Sequence, residues 1–352
     1  EVVARLDEMT RKIPGVKHTV CIAGQSFLLN VNGSNFGSMF IILESFEKRR
    51  HSPDLYADVI AAKARAMAYE KVPEAVVGVF GAPPVDGLGT AGGFKLMIED
   101  RGNLGLVSLQ EQADALCVEA NQQPGLIGVF SMFRANTPQY YLDIDRTKCK
   151  TLDIPLNEVF NTLQANLGSL YVNDFNEFGR TWQVNIQADA AFRVRPEDVA
   201  QLLVRNRQGA MIPLGSVLQV REISGPVMVT RYNMYPAAAV NGSSAPGFSS
   251  GQTIDLMAQV AKDTLPPSSV TEWTELTYMQ ILAGNTAIFI FPLCVLFVFL
   301  THSAEYESWL LPLAIILIAP LSISFALLGV SMEGLDNNIF VQIGFVVLVG
   351  LA

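Results

Sequence analysis

Charged residues are distributed very unevenly along this chain, and their distribution limits what it can fold into. Residues 281–352 contain no Lys or Arg and only four acidic residues, although the chain of 352 residues has 24 basic and 33 acidic ones. A helix that crosses a bilayer needs about 20 consecutive, mainly apolar residues. The sequence therefore predicts a folded region of ordinary polarity over residues 1–280, followed by helices in a membrane.

Three apolar runs define the predicted membrane helices, which cover residues 284–352. The first two are complete, at about 285–301 and 309–330, and the third, 339–352, is truncated after 14 residues. Proline is tolerated inside such helices because neighbouring groups satisfy the backbone atoms that it leaves free. Since the chain begins with Glu1 rather than Met and stops within an apolar run, we expect a piece of a longer protein.

The composition excludes several classes of protein and of site. With 50% hydrophobic residues, 16% charged residues and a net charge of −9, the chain is neither disordered nor suited to bind nucleic acid. It contains no P-loop, GxSxG or HExxH motif, and its three histidines lack metal-binding spacing, so we expect no cofactor, no metal and no enzymatic chemistry. Free thiols are the expected state of Cys21, Cys117, Cys149 and Cys294, although one disulfide among the first three stays open.

Residues 1–136 repeat one theme, in which a helix ends at a proline and an apolar strand follows. The helical period of Tyr56–Lys71 is followed by the apolar run Ala75–Phe80, which we interpret as a buried strand. A strand–helix–strand unit then spans residues 93–133, in the pattern of the ferredoxin-like split βαβ fold. The sequence therefore predicts two such α/β sandwiches.

A third domain, of mixed α/β texture, interrupts the second sandwich. From Tyr140 onward, short strands alternate with two short helices, at Pro155–Ala165 and Pro196–Leu203. A strand, a helix and a strand within residues 237–276 then complete the second sandwich. The predicted fold class is therefore an α+β region of ferredoxin-like split βαβ subdomains with an inserted mixed α/β domain, followed by all-α transmembrane helices.

Three sequence strings together resemble one family. They are Leu170–Phe175 (LYVNDF) with Gly179 and Arg180 after it, Tyr306–Trp309 (YESW) and Leu88–Phe94 (LGTAGGF). Their order and spacing resemble the second half of the resistance-nodulation-division efflux pumps, in the hydrophobe/amphiphile branch that exports drugs. The resemblance covers nearly the whole chain and is closest over residues 137–231.

The resemblance implies how the chain is divided and where it works. Residues 1–86 would form the first porter subdomain of this half, residues 87–136 and 234–278 the second, and residues 137–233 the docking subdomain. It also implies a homotrimer in the inner membrane of Gram-negative bacteria, with residues 1–280 in the periplasm. Its partners would be a periplasmic adaptor protein, an outer-membrane channel protein, the lipid bilayer and amphiphilic small molecules. Protons flowing inward through groups outside this chain would drive export.

The resemblance also assigns candidate substrate-binding residues and a glycine-containing switch loop between two strands. Glycine lets such a loop flex, and apolar side chains that can repack suit varied apolar ligands. By position, the candidates are Phe27, Phe40, Gln25, Val20, Phe80, Thr90, Phe130 and Met132, with Gly24, Gly33 and Gly37 in the switch loop. The alternative for Phe27, Phe40 and Phe80 is that they are simply core residues of a sandwich.

Four of these candidates depart from the family pattern. Gln25 and Val20 stand where the family often has Phe, and Phe130 and Met132 fall where a wall with Arg and Asn is common. We therefore expect a deep pocket with fewer aromatic contacts and an entrance that is more apolar and less able to hold anionic groups.

A different role is predicted for Tyr171, Asn173, Asp174 and Phe175. Aromatic and polar side chains alternate here, so they could occupy opposite faces of a turn or strand. The segment is either a packed corner of the docking subdomain or a direct contact with a neighbouring subunit or channel.

The leading functional hypothesis is a proton-driven exporter of drugs or other amphiphiles that works by conformational cycling of clefts between porter subdomains. A first alternative is an exporter of the same superfamily for metal ions or lipids; the isolated positions of Met39 and Met132 make the metal variant weaker. A second alternative is a membrane-tethered binding module that transports nothing.

Overall fold

The computed structural model describes residues 1–284, 287–335 and 338–351. Two ends of the predicted membrane helices lie outside these residues. They are Asn285, where the first predicted helix begins, and Ala352, where the third stops.

The chain divides into two compact units. One unit comprises Glu1–Ala135 together with Pro226–Ala352, and the other is Asn136–Gly225. The second unit is therefore inserted between two stretches of the first. The subdomain limits expected from the sequence resemblance stay predictions.

The helices, in chain order, are α1 Val2–Thr10, α2 Phe46–Arg49, α3 Ala57–Lys71, α4 Leu106–Asn121, α5 Arg146–Thr151, α6 Leu156–Leu163, α7 Pro196–Gln201, α8 Ser250–Thr264, α9 Glu275–Ala283, α10 Ala287–Glu305, α11 Leu310–Ile316, α12 Ile318–Met332 and α13 Ile339–Leu351. The strands are β1 Val16–Ser26, β2 Val31–Leu43, β3 Phe94–Asp100, β4 Leu126–Ser131, β5 Thr137–Ile144, β6 Leu170–Glu177, β7 Arg180–Ile186, β8 Leu203–Arg205, β9 Met211–Pro213, β10 Leu218–Gly225, β11 Arg231–Tyr232, β12 Tyr235–Ser244 and β13 Ser269–Trp273.

A β-hairpin and three helices form the first part of the larger unit. β1 and β2 pair antiparallel, and residues 27–30 turn the chain between them. α1 packs on one face of the hairpin, where Gly37 leaves room for the side chain of Val3. α3 buries Ile60 and Ala64 in a small core, because residues four apart lie on the same face of a helix.

The strand predicted at Ala75–Phe80 is wrong, because this segment forms no ladder and Val76 is half exposed. The carbonyl of Val79 instead accepts a hydrogen bond from Nε of Arg65 at 3.1 Å, and the side chain of Val79 packs on the core beneath α3. A side-chain donor therefore satisfies a backbone group that a neighbouring strand would otherwise bond. Within residues 1–86, all of which are described, β1 and β2 are the only strands, so the four strands of a split βαβ unit are not formed there.

The second sandwich is a five-stranded antiparallel sheet. β12 pairs with β11, β4 and β3, and β13 pairs with the other edge of β3. The units β3–α4–β4 and β12–α8–β13 supply its two halves, which is the split βαβ topology. These strands and helices lie within three residues of the positions that the sequence predicts.

One face of this sheet carries the largest core of the chain. Leu96, Ile98 and Val240 alternate inward along β3 and β12, and α4 and α8 cover them with side chains such as Leu109 and Met257. Each of these five side chains is at most 1% exposed. The core therefore fixes α4 and β4, which carry part of the candidate site described below.

The unit Asn136–Gly225 has a core of its own. It contains three separate two-stranded ladders, β5–β10, β6–β7 and β8–β9. Its buried side chains include Cys149, Val159, Val204 and Leu214, contributed by α5, α6, β8 and the turn after β9. The β6–β7 ladder contributes no residue to this core.

The four cysteines are free thiols, so the disulfide left open by the sequence is not formed. Cys117 and Cys149 are buried, one in each unit. Burial raises the pKa of Cys117 to about 12, because the thiolate would lose its hydration.

α9 to α13 form the C-terminal part of the larger unit. α11 and α12 are separate helices that part at Leu317, whereas the sequence predicts one helix over 309–330. Pro320 explains the break, because a proline cannot donate to the carbonyl four residues earlier and its ring crowds that carbonyl. In the part of the chain that the structure describes, no helix combines the length and the apolar character that crossing a bilayer requires.

Replacing Leu109 by Ala tests the core of the five-stranded sheet. Because Leu109 is fully buried, we expect Leu109→Ala to lower the free energy of unfolding by about 2–5 kcal/mol. The change is measured by urea unfolding, followed through the fluorescence of Trp273 in a variant whose other two tryptophans are replaced by Phe. Trp273 reports on this core because its ring centroid lies 6.0 Å from that of Phe94. Val118→Ala on the same helix is the control, since Val118 is 60% exposed and should change stability by less than about 0.5 kcal/mol. Equal effects of the two substitutions would contradict the assigned core.

Candidate ligand-binding surfaces

The β1–β2 hairpin presents an apolar face that contains three of the predicted site residues. Val20 and Phe40 are directly opposite each other in the register, so their side chains share a face. The ring of Phe27, in the turn, meets the ring of Phe40 edge-on, with centroids 5.3 Å apart and an interplanar angle of 76°. The three side chains are between 42% and 51% exposed. They therefore form a surface patch, the hairpin face (Val20, Phe27 and Phe40), and not part of a core.

Two hydrogen bonds of Ser38 hold Phe27 in this position. The hydroxyl of Ser38 accepts a hydrogen bond from the N–H of Phe27 at 2.8 Å and donates one to the carbonyl of Gln25 at 2.9 Å. Gln25 thus contributes its backbone to the turn, and its side chain is partly buried.

The predicted switch loop is wrong in its placement, because Gly24 lies in β1 and both Gly33 and Gly37 lie in β2. The connection between the strands is residues 27–30 instead. The pairing is nevertheless irregular here. Between the pairs Ala23–Gly37 and Gln25–Asn32, β1 has one residue, Gly24, whereas β2 has four, residues 33–36. Gly24 has a φ of +86°, which residues with a Cβ rarely adopt. The irregular backbone suggested by the glycines therefore exists, but as a bulge within the strands.

Phe80 and Phe130 form a second aromatic contact, the aromatic pair. Their rings are stacked, with centroids 6.0 Å apart and an interplanar angle of 16°, and both side chains are partly buried. A Cβ at Gly78 would lie 2.5 Å from the ring of Phe130, so glycine is required there for the rings to meet. Met132 is also partly buried, but the stack does not include it.

The aromatic pair depends on a bulge in β4. Phe130 pairs with Asn241 and Ile127 pairs with Ser243, so β4 has one more residue than β12 between these two pairs. Gly128 takes up the extra residue with a φ of +61°. A bulge of this kind redirects the residues that follow it, which here include Phe130.

The bulge leaves the backbone of Val129 without a partner in the ladder. The side chain of Asn121, at the end of α4, accepts a hydrogen bond from the N–H of Val129 at 2.9 Å and donates one to its carbonyl at 2.6 Å. Val129 itself is buried, and a buried backbone group without a partner would cost about 1–3 kcal/mol. Asn121 therefore stabilises the bulge from the helix that packs on the sheet.

Arg65 of α3 is a functional candidate that the sequence analysis missed. Its Nε donates to the carbonyl of Val79, and a Cβ at Gly128 would lie 2.9 Å from the same Nε. Val79 and Gly128 are close neighbours of the aromatic pair in sequence. Burial lowers the pKa of Arg65, and the negative charge of Asp58 acts in the opposite direction. No motif signals this contact, because Arg65 and Gly128 are far apart in the chain.

Thr90 belongs to a separate polar cluster around Glu275. The N–H of Thr90 donates to Oε2 of Glu275 at 3.3 Å, and Nζ of Lys95 lies 2.6 Å from Oε1. Glu275 is the first residue of α9 and has a φ of +57°, which a surrounding structure must hold in place. Gly89 leaves room for the carboxylate, since a Cβ there would lie 2.7 Å from Oε2. Lys95 and Glu275, neither of which the sequence analysis singled out, thus join the start of α9 to the sheet.

The four residues predicted for docking lie on β6, in the other unit. Tyr171 and Phe175 are 51% and 47% exposed, Asn173 and Asp174 are exposed as well, and so is Trp182, which faces Phe175 across the hairpin. A hydrogen bond to the carboxylate of Asp174 raises the pKa of Tyr171. Side chains on both faces of the β6–β7 hairpin, called the exposed arm below, are exposed, and the docking role of these residues stays a prediction.

Gly128→Ala tests the bulge. A Cβ at this position would both strain a positive φ and collide with Arg65, so we expect a loss of about 1–3 kcal/mol in the free energy of unfolding, measured by urea unfolding with Trp273 as the probe. Gly81→Ala is the matched control, because a Cβ at Gly81 meets no atom within 4 Å and the φ of Gly81 is not positive. A loss no larger for Gly128→Ala than for Gly81→Ala would show that the bulge is not formed.

The ion pair of Lys95 and Glu275 should stabilise the chain measurably. Its side chains are 21% and 20% exposed, so a double-mutant cycle with Lys95→Met and Glu275→Gln should give a coupling energy of about 1–3 kcal/mol. The pair of Lys12 and Glu8 is the reference, because its side chains are 71% and 73% exposed and, being fully screened by water, should couple much more weakly. Coupling energies of equal size would mean that partial burial adds nothing to the inner pair.

Known proteins that are similar to this chain identify its family. The family model for the AcrB/AcrD/AcrF family matches residues 1–352. The chain is 34% identical over 334 residues to the toluene efflux pump membrane transporter TtgB of Pseudomonas putida (strain DOT-T1E), a match that covers 93% of this chain and 31% of that protein. It is 33% identical over 347 residues to the multidrug resistance protein MdtF of Escherichia coli (strain K12), covering 98% and 33%. With the multidrug export protein AcrF of the same strain, it is 32% identical over 327 residues, covering 93% and 31%.

The chain spans about a third of the length of these relatives. The match along the whole chain confirms the resemblance drawn from its three sequence strings to the resistance-nodulation-division efflux pumps. This chain belongs to the AcrB/AcrD/AcrF family.

Proposed function

We propose that the protein containing this chain is a proton-driven efflux transporter of the inner membrane, which exports drugs and other amphiphilic small molecules. The observation that carries the proposal is the half-exposed aromatic hairpin face in a chain of this family. The relatives are named for toluene efflux, multidrug resistance and multidrug export. Substrates with a large apolar surface would suit such a face.

The hairpin face supports an apolar cargo on physical grounds. Phe27 and Phe40 each leave about half of their side chains in contact with water, so a ligand that covers them removes apolar surface from water, at about 25 cal/mol per Å². An aromatic ligand adds about 0.5–1.5 kcal/mol for each well-oriented ring contact. Neither contribution needs a fixed hydrogen-bonding pattern, and such a surface therefore accepts many ligands.

The composition supports the proposed location. Residues 281–352 contain no Lys or Arg and few acidic residues. They begin within the last turn of α9, the helix that the Lys95–Glu275 pair joins to the sheet. We propose that this region crosses the inner membrane and that residues 1–280 lie in the periplasm. The energy would come from inward proton flow through groups outside this chain.

The exposed arm supports the proposed assembly. The β6–β7 hairpin has only two strands, which are marginally stable alone in water. We propose that it gains its cover in a homotrimer or from the outer-membrane channel, with a periplasmic adaptor protein completing the complex.

Export of metal ions is less well supported than export of amphiphiles. Met39 pairs with Cys21 in the hairpin register, so it points away from the face that carries Val20 and Phe40. A soft metal ion requires several sulfur or imidazole ligands, and among the residues that the structure describes no group of three or more His, Cys, Asp or Glu side chains could hold a metal ion. A binding module that transports nothing remains the second alternative, and an uncoupler distinguishes it from an exporter.

Phe27→Ala should change which compounds the full-length transporter exports. Removing the ring takes away apolar contact area on the hairpin face, so we expect a severalfold loss in export of a large aromatic dye, with trimer yield unchanged. The measurement is dye efflux from cells that carry the full-length gene, with and without an uncoupler that collapses the proton gradient.

Phe46→Ala is the matched control for this experiment. Phe46 is 83% exposed on α2 and lies outside the hairpin face, so its replacement should leave dye export unchanged. An export profile of Phe27→Ala that equals the wild-type profile at equal expression would contradict the binding role of Phe27. Efflux that does not respond to the uncoupler would contradict proton-driven export.

A further inference from the structure

The guanidinium of Arg65 is a cation without an anionic partner. In the part of the chain that the structure describes, no carboxylate lies within ion-pair distance of Arg65, and its one hydrogen bond goes to a neutral acceptor, the carbonyl of Val79. A guanidinium has five N–H donors, so most of its hydrogen-bonding capacity is unused by the protein. Asp58 acts on it only through the electric field.

The position of Arg65 gives this unused cation a specific setting. The guanidinium packs against Gly128, where any side chain would collide with it, and it is anchored on Val79. The next residue after Val79 is Phe80, and the bulge at Gly128 leads into Phe130. A partly buried cation therefore lies against the two backbone segments, at Val79 and Gly128, that lead into the rings of the aromatic pair.

Partial burial makes such a cation a strong partner for an anion. Arg65 has lost part of its hydration, which is why its pKa is lowered, and the charge of Asp58 offsets this loss only in part. A sulfonate or carboxylate at this place would form charge-assisted hydrogen bonds, which are about twice as strong as neutral ones. The guanidinium fork also matches the planar geometry of a carboxylate.

We propose that Arg65 selects amphiphiles that carry an anionic group next to an aromatic or aliphatic body, with the body on the aromatic pair and the anion on the guanidinium. This proposal rests on the proposed export function and names a substrate class for it. The sequence had suggested an entrance poorly suited to anions, because Phe130 stands where the family often has a polar residue. In this fold the cation is supplied by α3 instead of β4.

Two probes that differ in a single group test the proposal. 1-Anilinonaphthalene-8-sulfonate has an anionic sulfonate, and N-phenyl-1-naphthylamine has the same aromatic body without it. Binding of each probe to the full-length transporter in lipid nanodiscs is titrated by fluorescence, with empty nanodiscs subtracted. Export of each probe is then followed in cells, with and without an uncoupler.

Arg65→Gln should weaken binding of the sulfonate probe about tenfold, because it removes a charge-assisted hydrogen bond, and should leave binding of the neutral probe within about twofold. Arg65→Lys should restore much of the sulfonate binding, because it keeps the charge. Lys63→Gln is the matched control: it removes a charge from an exposed position of the same helix and should change neither probe.

Two results would overturn the proposal. One is unchanged sulfonate binding in Arg65→Gln, and the other is an equal loss for both probes, which would assign Arg65 a purely structural role at Val79. Failure of the proposed export function has a different signature, in which the wild-type protein binds both probes but their efflux ignores the uncoupler. The binding titration then still decides the role of Arg65.

Discussion

Two hydrogen bonds between the side chain of Asn121 and the backbone of Val129 hold the bulge of β4, and the aromatic pair depends on that bulge. Without the extra residue at Gly128, the strand would stay in register with β12 and Phe130 would lie on the opposite face. Asn121 can make both bonds because α4 is packed firmly on the sheet by a fully buried core. The core therefore positions Asn121, Asn121 stabilises the bulge, and the bulge orients Phe130 toward Phe80.

The same bulge connects two parts of the larger unit that share no sheet. The segment after α3 has no strand partner. It is held by the hydrogen bond from Arg65 to the carbonyl of Val79 and by the stacking of Phe80 on Phe130. Such a contact consists of a few side chains and has no extended backbone ladder. A joint of this kind can open or repack at a lower cost than a continuous sheet, which is the property that a transporter with moving subdomains would need.

The sequence predicted the parts of the fold whose periodicity is strong. The second sandwich was placed within three residues, since α4 and α8 each bury one regular stripe of side chains. Ala75–Phe80 was misread because an apolar run shows only that side chains are buried or packed, and not that its backbone has a strand to pair with. The glycines of β2 were misread as a loop, because their composition does not distinguish a turn from a bulge.

The candidate site was predictable only in part. Family resemblance pointed to Phe27, Phe40, Phe80 and Phe130, which the structure brings together as two contacting pairs. It could not point to Arg65, since that contact depends on a glycine with a positive φ on a strand distant in sequence. A cation that acts through tertiary packing leaves no local pattern.

We propose that the aromatic pair of Phe80 and Phe130 binds the apolar body of the cargo, and photolabelling of the full-length transporter tests this most directly. A diazirine derivative of N-phenyl-1-naphthylamine would be bound, irradiated and mapped by mass spectrometry, with unlabelled compound as competitor. The account predicts competed label on residues 78–80 and 128–132. Label that competes away only at positions outside these two segments would contradict it.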